Sequence, residues 1–389
     1  MRVGIIGMGL GGATLALALH LRGVEAVVFE QAGQIREVGA GIAVWPNSVR
    51  LLARAGLGGE MARIGARMIQ PRVMTRDGAV LHGMAHVTAD GTPGYYMHRA
   101  EFLDVISAPL PPAMIRLGRR CTGVVQDEES VTARFEDGGV ERFDLLIGAD
   151  GIRSSVAGAL AGDLAPTYAN LAAYRGLVPN DADQPLATGN LWTDRRKYFV
   201  AFPVSGGRRV NFVGVIPTDG DREENWFKSG DKADLARAFA DWDPVLRDII
   251  ARVDETFLWG LYKRRTLESY VDRRIVLIGD AAHPMMIHAG QGVGQAVEDA
   301  FALAVFLEDA TPEALPARLA AYDALRVPRA TAVQDASRRN AQFLHADFPL
   351  DPEVPRPDRT SPVDWIIDYD AEREAEHALA HCLKAGAAR

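Results

Sequence analysis

Cysteine is nearly absent from this chain: Cys121 and Cys382 are the only two in 389 residues. Two distant thiols cannot build a disulfide framework, and they lack the clustered spacing of a zinc site, so no metal centre is expected. Basic charge is also scarce. Lys and Arg number 43 against 51 Asp and Glu, giving a net charge of −8 and a pI near 5.7. That balance excludes the basic face a nucleic-acid-binding domain needs. Beyond the N-terminus there is no run of about 20 uninterrupted apolar residues, so no membrane span is expected. Internal repeats are missing too. What is present is ordinary: 48% hydrophobic and 24% charged residues, the values of a globular chain and not of a disordered one. At roughly 150 residues per domain the length suggests two to three domains. The composition reads as a soluble, cytoplasmic α/β protein.

The N-terminus imitates a signal peptide, with Arg2 followed by a long apolar stretch. The crowded glycines Gly4, Gly7, Gly9, Gly11 and Gly12 argue against that reading, because a secretory core prefers leucine. They fit a nucleotide site instead. Val3-Gly4-Ile5-Ile6 is suited to a strand buried on both faces. It runs into Gly7-Met8-Gly9-Leu10-Gly11-Gly12, a G-x-G-x-x-G turn that opens a helix former, Ala13 to Leu19. Gly7 permits the tight turn, Gly9 lets the backbone approach a pyrophosphate at the helix's positive end, and Gly12 lets helix and strand pack closely. A second strand, Val24 to Phe29, ends at Glu30, placed to accept hydrogen bonds from a ribose 2′-hydroxyl. A free carboxylate there disfavours a 2′-phosphate, leaving NAD or FAD as the ligand.

Two later segments narrow the choice. Asp144 to Ser155 reads DLLIGADGIRSS, a buried strand entering a polar turn. Arg274 to Pro284 reads RIVLIGDAAHP and is followed by Gly290-Gln291-Gly292-Val293-Gly294 and Glu298-Asp299. Asp280 sits where a strand tip meets a loop, the usual place for ligand contacts in an open α/β sheet. The glycines 290, 292 and 294 open a helix whose unpaired N–H groups can face an anion. A simple NAD dehydrogenase needs neither segment.

In GMGLGG with Glu30, GADGIRSS, and GDAAHP followed by GQG and ED, the chain resembles the single-component FAD-dependent aromatic hydroxylases, the class A flavoprotein monooxygenases. Within that family it resembles the salicylate and 6-hydroxynicotinate type. Further matching pieces are Glu37 to Ile42 with Pro46-Asn47, His98-Arg99, Ala173 to Gly176, and Asp364 to Tyr369. The resemblance spans essentially the whole chain. It implies a Rossmann-like FAD-binding domain of the glutathione-reductase type, an inserted β-sheet substrate domain and C-terminal helices. It also implies FAD as cofactor, NADH or NADPH as transient co-substrate, and O2. Hydroxylation of a small hydroxylated aromatic or heteroaromatic acid would run through a flavin C4a-hydroperoxide, with loss of CO2 where the attacked carbon carries the carboxylate. The oligomeric state expected is monomer or homodimer.

Carried onto this sequence, the resemblance assigns the FAD site to Gly7, Gly9, Leu10, Gly12, Glu30, Gln31, Val44, Arg99, Asp150, Gly279, Asp280, Gly290, Gly292 and Val293. For Asp150 the alternative is a turn-capping aspartate. Of the nine histidines only His283 and His288 lie beside the cofactor motifs, and His is the natural base near neutral pH. His288 is the preferred substrate-side residue; His283 is the second candidate, with a structural role as its alternative. Tyr198 is a candidate hydrogen-bond donor or a packing residue, and Arg175 a candidate carboxylate ligand. Ala43, Trp45, Phe202 and Phe212 are expected to line the substrate pocket. At Ala43, Tyr198 and Phe202 the 6-hydroxynicotinate enzymes carry polar residues, and Ile287 stands where relatives usually have Pro, so the pocket should be more apolar or differently shaped.

The expected FAD domain comprises residues 1–75, 98–165 and 273–335, and the expected substrate sheet 76–97 and 166–272, with a helical segment over 336–389. Lys197 to Val204 and Arg209 to Val215 read as strands around Ser205-Gly206-Gly207. Ala314 to Phe343 reads as helix with breaks at Pro316 and Pro328. Pro349 to Pro357 reads as a proline-rich connector. Other flavoenzymes on the same fold, such as an oxidase or epoxidase, and a non-catalytic dinucleotide binder are the competing functions.

Overall fold

The computed structural model describes residues 1–34, 40–83, 88–162, 164–181, 185–218, 229–347 and 364–387. Glu37 to Gly39 and the connector Pro349 to Pro357 lie outside the described residues.

The branched run Val3–Ile6 is the centre of a six-stranded sheet. It pairs in parallel with Ala26–Phe29 on one side and Leu145–Gly148 on the other. Ile275–Leu277 and Ile115–Arg116 extend the parallel sheet, and Val271–Asp272 adds an antiparallel edge. Helix Leu10–Leu21 is buried along most of its length and packs with helix Gly292–Leu307 in one large core. The parallel strand tips therefore meet ligand-binding loops at one edge of the sheet, as doubly wound folds arrange them.

A seven-stranded sheet forms the second half, in the order Phe257–Lys263, Thr167–Pro179, Arg209–Pro217, Tyr198–Val204, Asn190–Thr193, Arg72–Thr75 and Val80–Gly83. Its far face is covered by helices Lys232–Ala238 and Pro244–Ala251, around Phe199, Phe212, Phe239 and Trp242. Its near face faces the cofactor half. The two halves join where Gly41 N–H donates to Asn211 Oδ1 at 2.7 Å. A side chain at Gly41 would press on both Asn211 and Phe202, so glycine is what allows this contact.

The expected segment boundaries shift by a few residues. Arg72–Thr75 pairs with Asn190–Thr193 and so belongs to the large sheet, ahead of 76. Val271–Asp272 pairs with Ile275–Leu277 and belongs to the parallel sheet, ahead of 273. Tyr95–His98 pairs with Gly41–Val44 and Ala66–Arg67. Strand partners distant in sequence decide these limits, and composition does not show them.

One helix, Leu315–Leu344, crosses the expected boundary at 335 and runs through Pro328 without ending; Pro316 lies in its first turn. An interior proline removes a backbone hydrogen bond and costs about 3 kcal/mol. The compensation flanks it. Arg326 Nη1 lies 2.8 Å from Glu298 Oε2 and its Nε 2.8 Å from Asp299 Oδ1. Arg329 Nη2 lies 2.8 Å from Glu298 Oε1. Both carboxylates and the Arg326 guanidinium are inaccessible to solvent. Burial alone would raise Asp299, yet His283 and Arg326 outweigh it and hold the carboxyl at about 2. Asp299 also accepts from Gly279 N–H at 2.8 Å, so one buried network ties the long helix to the loop after Ile275–Leu277.

Removing one partner of a buried ion network costs on the order of 3–5 kcal/mol, because the other charges stay buried and unpaired. Arg326→Leu should lose about that much in chemical unfolding. A loss below about 1 kcal/mol would show that the network does not hold this helix in place.

Candidate active site

The site begins with three glycines that differ in what surrounds them. Gly7 has φ +100°, a conformation L side chains rarely adopt, and a Cβ there would meet the Ala149 backbone. A Cβ on Gly12 would collide with the Gly7 carbonyl oxygen. A Cβ on Gly9 would meet nothing within 4 Å. Gly7 and Gly12 are therefore required by the protein's own packing, whereas Gly9 guards open space at the start of helix Leu10–Leu21. No side chain caps that helix, so its first N–H groups remain for an anion. Glu30 is half-buried and accepts from Met8 N–H and Ala32 N–H, each at 2.8 Å. It braces the glycine turn and keeps lone pairs for a ribose.

The second wall comes from the loop after Ile275–Leu277. Asp280 is solvent-accessible but closely surrounded by protein, and lost solvation raises its carboxyl above the usual range against the pull of His283, Arg99 and Arg264. Arg264 donates to the carbonyls of Ala281 and Ala282 at 2.6 and 3.1 Å, holding the loop's shape. Arg99 starts helix Arg99–Ser107, and burial lowers its pKa. Gly290 takes a left-handed φ of 61°, and Trp45 Nε1–H donates to its carbonyl at 2.8 Å. Helix Gly292–Leu307 follows, again without a side-chain cap. Open glycine space, two uncapped helix starts and a poorly solvated carboxylate together fit a bound dinucleotide.

The third wall is the near face of the large sheet, an apolar floor of Leu171, Ala173, Tyr198, Val213, Val215 and Trp259. Arg175 shares this face, with its guanidinium 3.6 Å from the Trp259 ring centroid. Burial first, and then Arg99, lower Arg175 to about 9. The Tyr198 ring lies 5.5 Å from His288 and 5.5 Å from His345. Burial raises the Tyr198 phenol well above its usual range, so it stays neutral. Ala43, Trp45, Tyr96 and Phe202 form a second apolar wall, with Tyr96 stacked on Phe202 at 4.6 Å.

Several expected residues are placed differently. Phe212 pairs opposite Ala201, one step out of register with Phe202, and so points to the far face. There it stacks on Phe199 at 5.3 Å and cannot reach the pocket. His283 is buried with Nε2 2.6 Å from Asp299 Oδ2; its ring serves the buried ion network and stands apart from Tyr198 and His288. The Asp150 carboxylate receives Ser154 Oγ–H, with Ser155 N–H at 2.7 Å and Ser155 Oγ–H at 3.0 Å. That is the turn-capping role. Gln31 is exposed, whereas Leu10 and Val44 are buried in the main core. His345 and Asn211 were not anticipated. His345 ends the long helix 57 residues after His288, and no local motif marks it.

A family model described as FAD binding domain matches residues 1–337. The chain belongs to this FAD-binding family. It is 37% identical to 3-amino-4-hydroxybenzoate 2-monooxygenase of Streptomyces cremeus, over 89% of this chain and 88% of that one. It is 32% identical to a salicylate hydroxylase of Pseudomonas putida, over 98% and 95% of the two chains. Among solved structures, Klebsiella pneumoniae HpxO complexed with FAD and uric acid superposes with a TM-score of 0.81 at 27% identity, covering 98% of this chain and 97% of that one. The α/β fold with an FAD-binding domain and the likeness to aromatic hydroxylases are thereby borne out.

Gly9→Ala should leave unfolding of the FAD-free protein unchanged and weaken FAD binding about tenfold or more, roughly 1.4 kcal/mol. Gly12→Ala should instead destabilise the FAD-free protein by about 1–3 kcal/mol through overpacking. Flavin titration and chemical unfolding separate the two, and identical behaviour would contradict the distinct roles.

Burial lowers His345 to about 4 and lowers His288 well below 6.5. Unfolded histidines take protons near pH 6.5 that the folded chain refuses. Stability from these groups is therefore present above about pH 6.5 and lost as pH falls toward about 4. His345→Gln should flatten the fall of stability in that window; an unchanged slope would contradict it.

Proposed function

We propose that this FAD-dependent aromatic monooxygenase hydroxylates a small hydroxylated aromatic or N-heteroaromatic acid, using NADH or NADPH and O2. The observation that carries this reading is the apolar sheet face bearing Arg175 and Tyr198, with His288 packed against the Tyr198 ring. An arginine with little solvation of its own suits a carboxylate, which it can meet bidentately. The floor around Tyr198, Val213 and Trp259 and the wall of Trp45 and Phe202 suit a flat ring.

FAD would be held by the Gly7–Gly12 turn, Glu30, Arg99, Asp280 and the start of helix Gly292–Leu307, and when bound and reduced it supplies activated oxygen from O2. The chain does the rest. The uncapped N–H groups at Gly292 and Val293 provide a positive field for developing anionic charge. The apolar walls exclude water from the reacting ring. Arg175 orients the ring by its carboxylate, and Tyr198 stays neutral against the ring's hydroxyl side. His288 takes the hydroxyl proton, which makes the ring electron-rich at the attacked carbon. Free thiols at Cys121 and Cys382 fit a reducing cytoplasm, where we place the enzyme as a monomer or homodimer.

The test is a panel of hydroxy- and aminohydroxybenzoates and hydroxypyridine carboxylates, each scored for NADH or NADPH oxidation coupled to ring hydroxylation. At least one member should support coupled turnover by purified, FAD-loaded enzyme. For that member, Arg175→Met should raise KM by about 10- to 100-fold, equivalent to the loss of about 1.5–3 kcal/mol in a charged hydrogen bond. Oxidation yielding only H2O2 across the panel would reject the substrate class, and an unchanged KM would remove Arg175 from substrate binding.

A further inference from the structure

His345 is inaccessible to solvent, and its Nδ1 lies 2.7 Å from the carbonyl oxygen of Arg196. A carbonyl can only accept, so Nδ1 carries a proton. In a neutral imidazole the other nitrogen, Nε2, is then a bare acceptor. That nitrogen faces His288 Nε2 at 3.3 Å. Two lone pairs cannot form a hydrogen bond, so His288 must donate from Nε2. Its Nδ1 is left as the lone-pair nitrogen, and that atom is buried with no hydrogen-bond partner among the described residues. The protonation pattern thus propagates from one backbone carbonyl through two rings and ends on an unused base.

The backbone around His288 is held from the same helix. Ser337 Oγ–H donates to the Met286 carbonyl at 2.6 Å, Gln334 Nε2–H to the Pro284 carbonyl at 2.9 Å, and Asn340 Nδ2–H to the His288 carbonyl at 3.3 Å. The two imidazoles meet edge to face at 80°, and Tyr198 flanks both. An unpaired buried nitrogen costs free energy, and a ring locked this firmly cannot rotate to relieve it.

We propose that His345 is a positioning residue that fixes His288 as its Nε2–H tautomer and so aims the bare Nδ1 at the ring hydroxyl of the bound aromatic acid. The part concerning substrate rests on the aromatic-hydroxylase reading above. In the step, the substrate O–H bond breaks and an N–H bond forms at His288 Nδ1. The ring becomes a phenolate and His288 an imidazolium whose second proton is shared with His345 Nε2. The proton returns to the hydroxyl when product leaves, so no electrons are exchanged with the histidines. The titratable and charged groups facing this pair are Tyr198 from the sheet, with Arg175 behind it, and Asp194 beside His345.

The experiment reads the tautomer directly. In FAD-loaded enzyme with 15N-labelled histidine, wild-type His288 should show its proton on Nε2 and a lone pair on Nδ1, with no substrate present. His345→Gln should keep that state, because its amide oxygen can accept from Nε2–H while its amide N–H donates to Arg196. His345→Phe should release it to a mixture. On a turned-over member of the panel, His345→Phe should lower kcat by about 10- to 100-fold, within the range a general base contributes, with KM held within about threefold. His345→Gln should restore kcat to within about threefold of wild type. A wild-type proton on Nδ1 would overturn the inference, even if His345→Phe failed to fold. So would a His345→Phe enzyme with normal kcat. A wild-type enzyme that turns over nothing on the panel would overturn the base role and the hydroxylase reading, while the tautomer assignment stands or falls on the spectrum alone.

Discussion

Glu298 and Asp299 are adjacent in sequence and both fully buried, an arrangement that two carboxylates tolerate only when cations and donors surround them. Arg326, Arg329, His283, Asn47, Gln295 and Gly279 N–H supply that surrounding. Arg326 and Arg329 come from the long helix, His283 and Gly279 from the loop after Ile275–Leu277, and Asn47 from the N-terminal third, so satisfying two charges brings those parts into register. The start of helix Gly292–Leu307, the loop carrying Asp280 and the helix Leu315–Leu344 are fixed to one another by this requirement. Because the long helix also donates from Gln334, Ser337 and Asn340 to the Pro284–His288 backbone, the same constraint reaches the proposed base.

The cleft above this network combines low polarity with a few charged groups that burial has stripped of water. Arg99 and Arg175 lose solvation and have lowered pKa values, while Asp280 is raised. A ligand that carries negative charge near the arginines and hydrogen-bond donors near Asp280 recovers that lost solvation. Apart from Arg175, the floor of the cleft is apolar, which keeps water away from the reacting ring.

Much of the cofactor side was legible in sequence because its signals are local. Gly7, Gly9, Gly12 and Glu30 follow one strand-turn-helix-strand unit, whose spacing is readable along about 30 residues. The substrate side was less legible. Trp45 and Phe202 share one apolar cluster, but Phe212 lies on the opposite face of the sheet, since a one-residue step in a strand reverses the side chain. Asp150 turned out to cap its own turn. His283 serves a buried carboxylate. The helix runs through Pro328 against its local propensity, flanked by the buried pairs of Arg326 and Arg329 with Glu298 and Asp299.

From the sequence alone came the family likeness, the α/β class and the glycine cradle, all properties set by neighbouring residues and the sterics of the backbone. Only the tertiary structure decided that His345, at the end of a helix, would share a hydrogen bond with His288, or that Arg326 would neutralise two acids on another helix. Those pairings depend on burial, where unpaired polar groups are costly and must find partners wherever the fold brings them. Sequence distance carries no record of that cost.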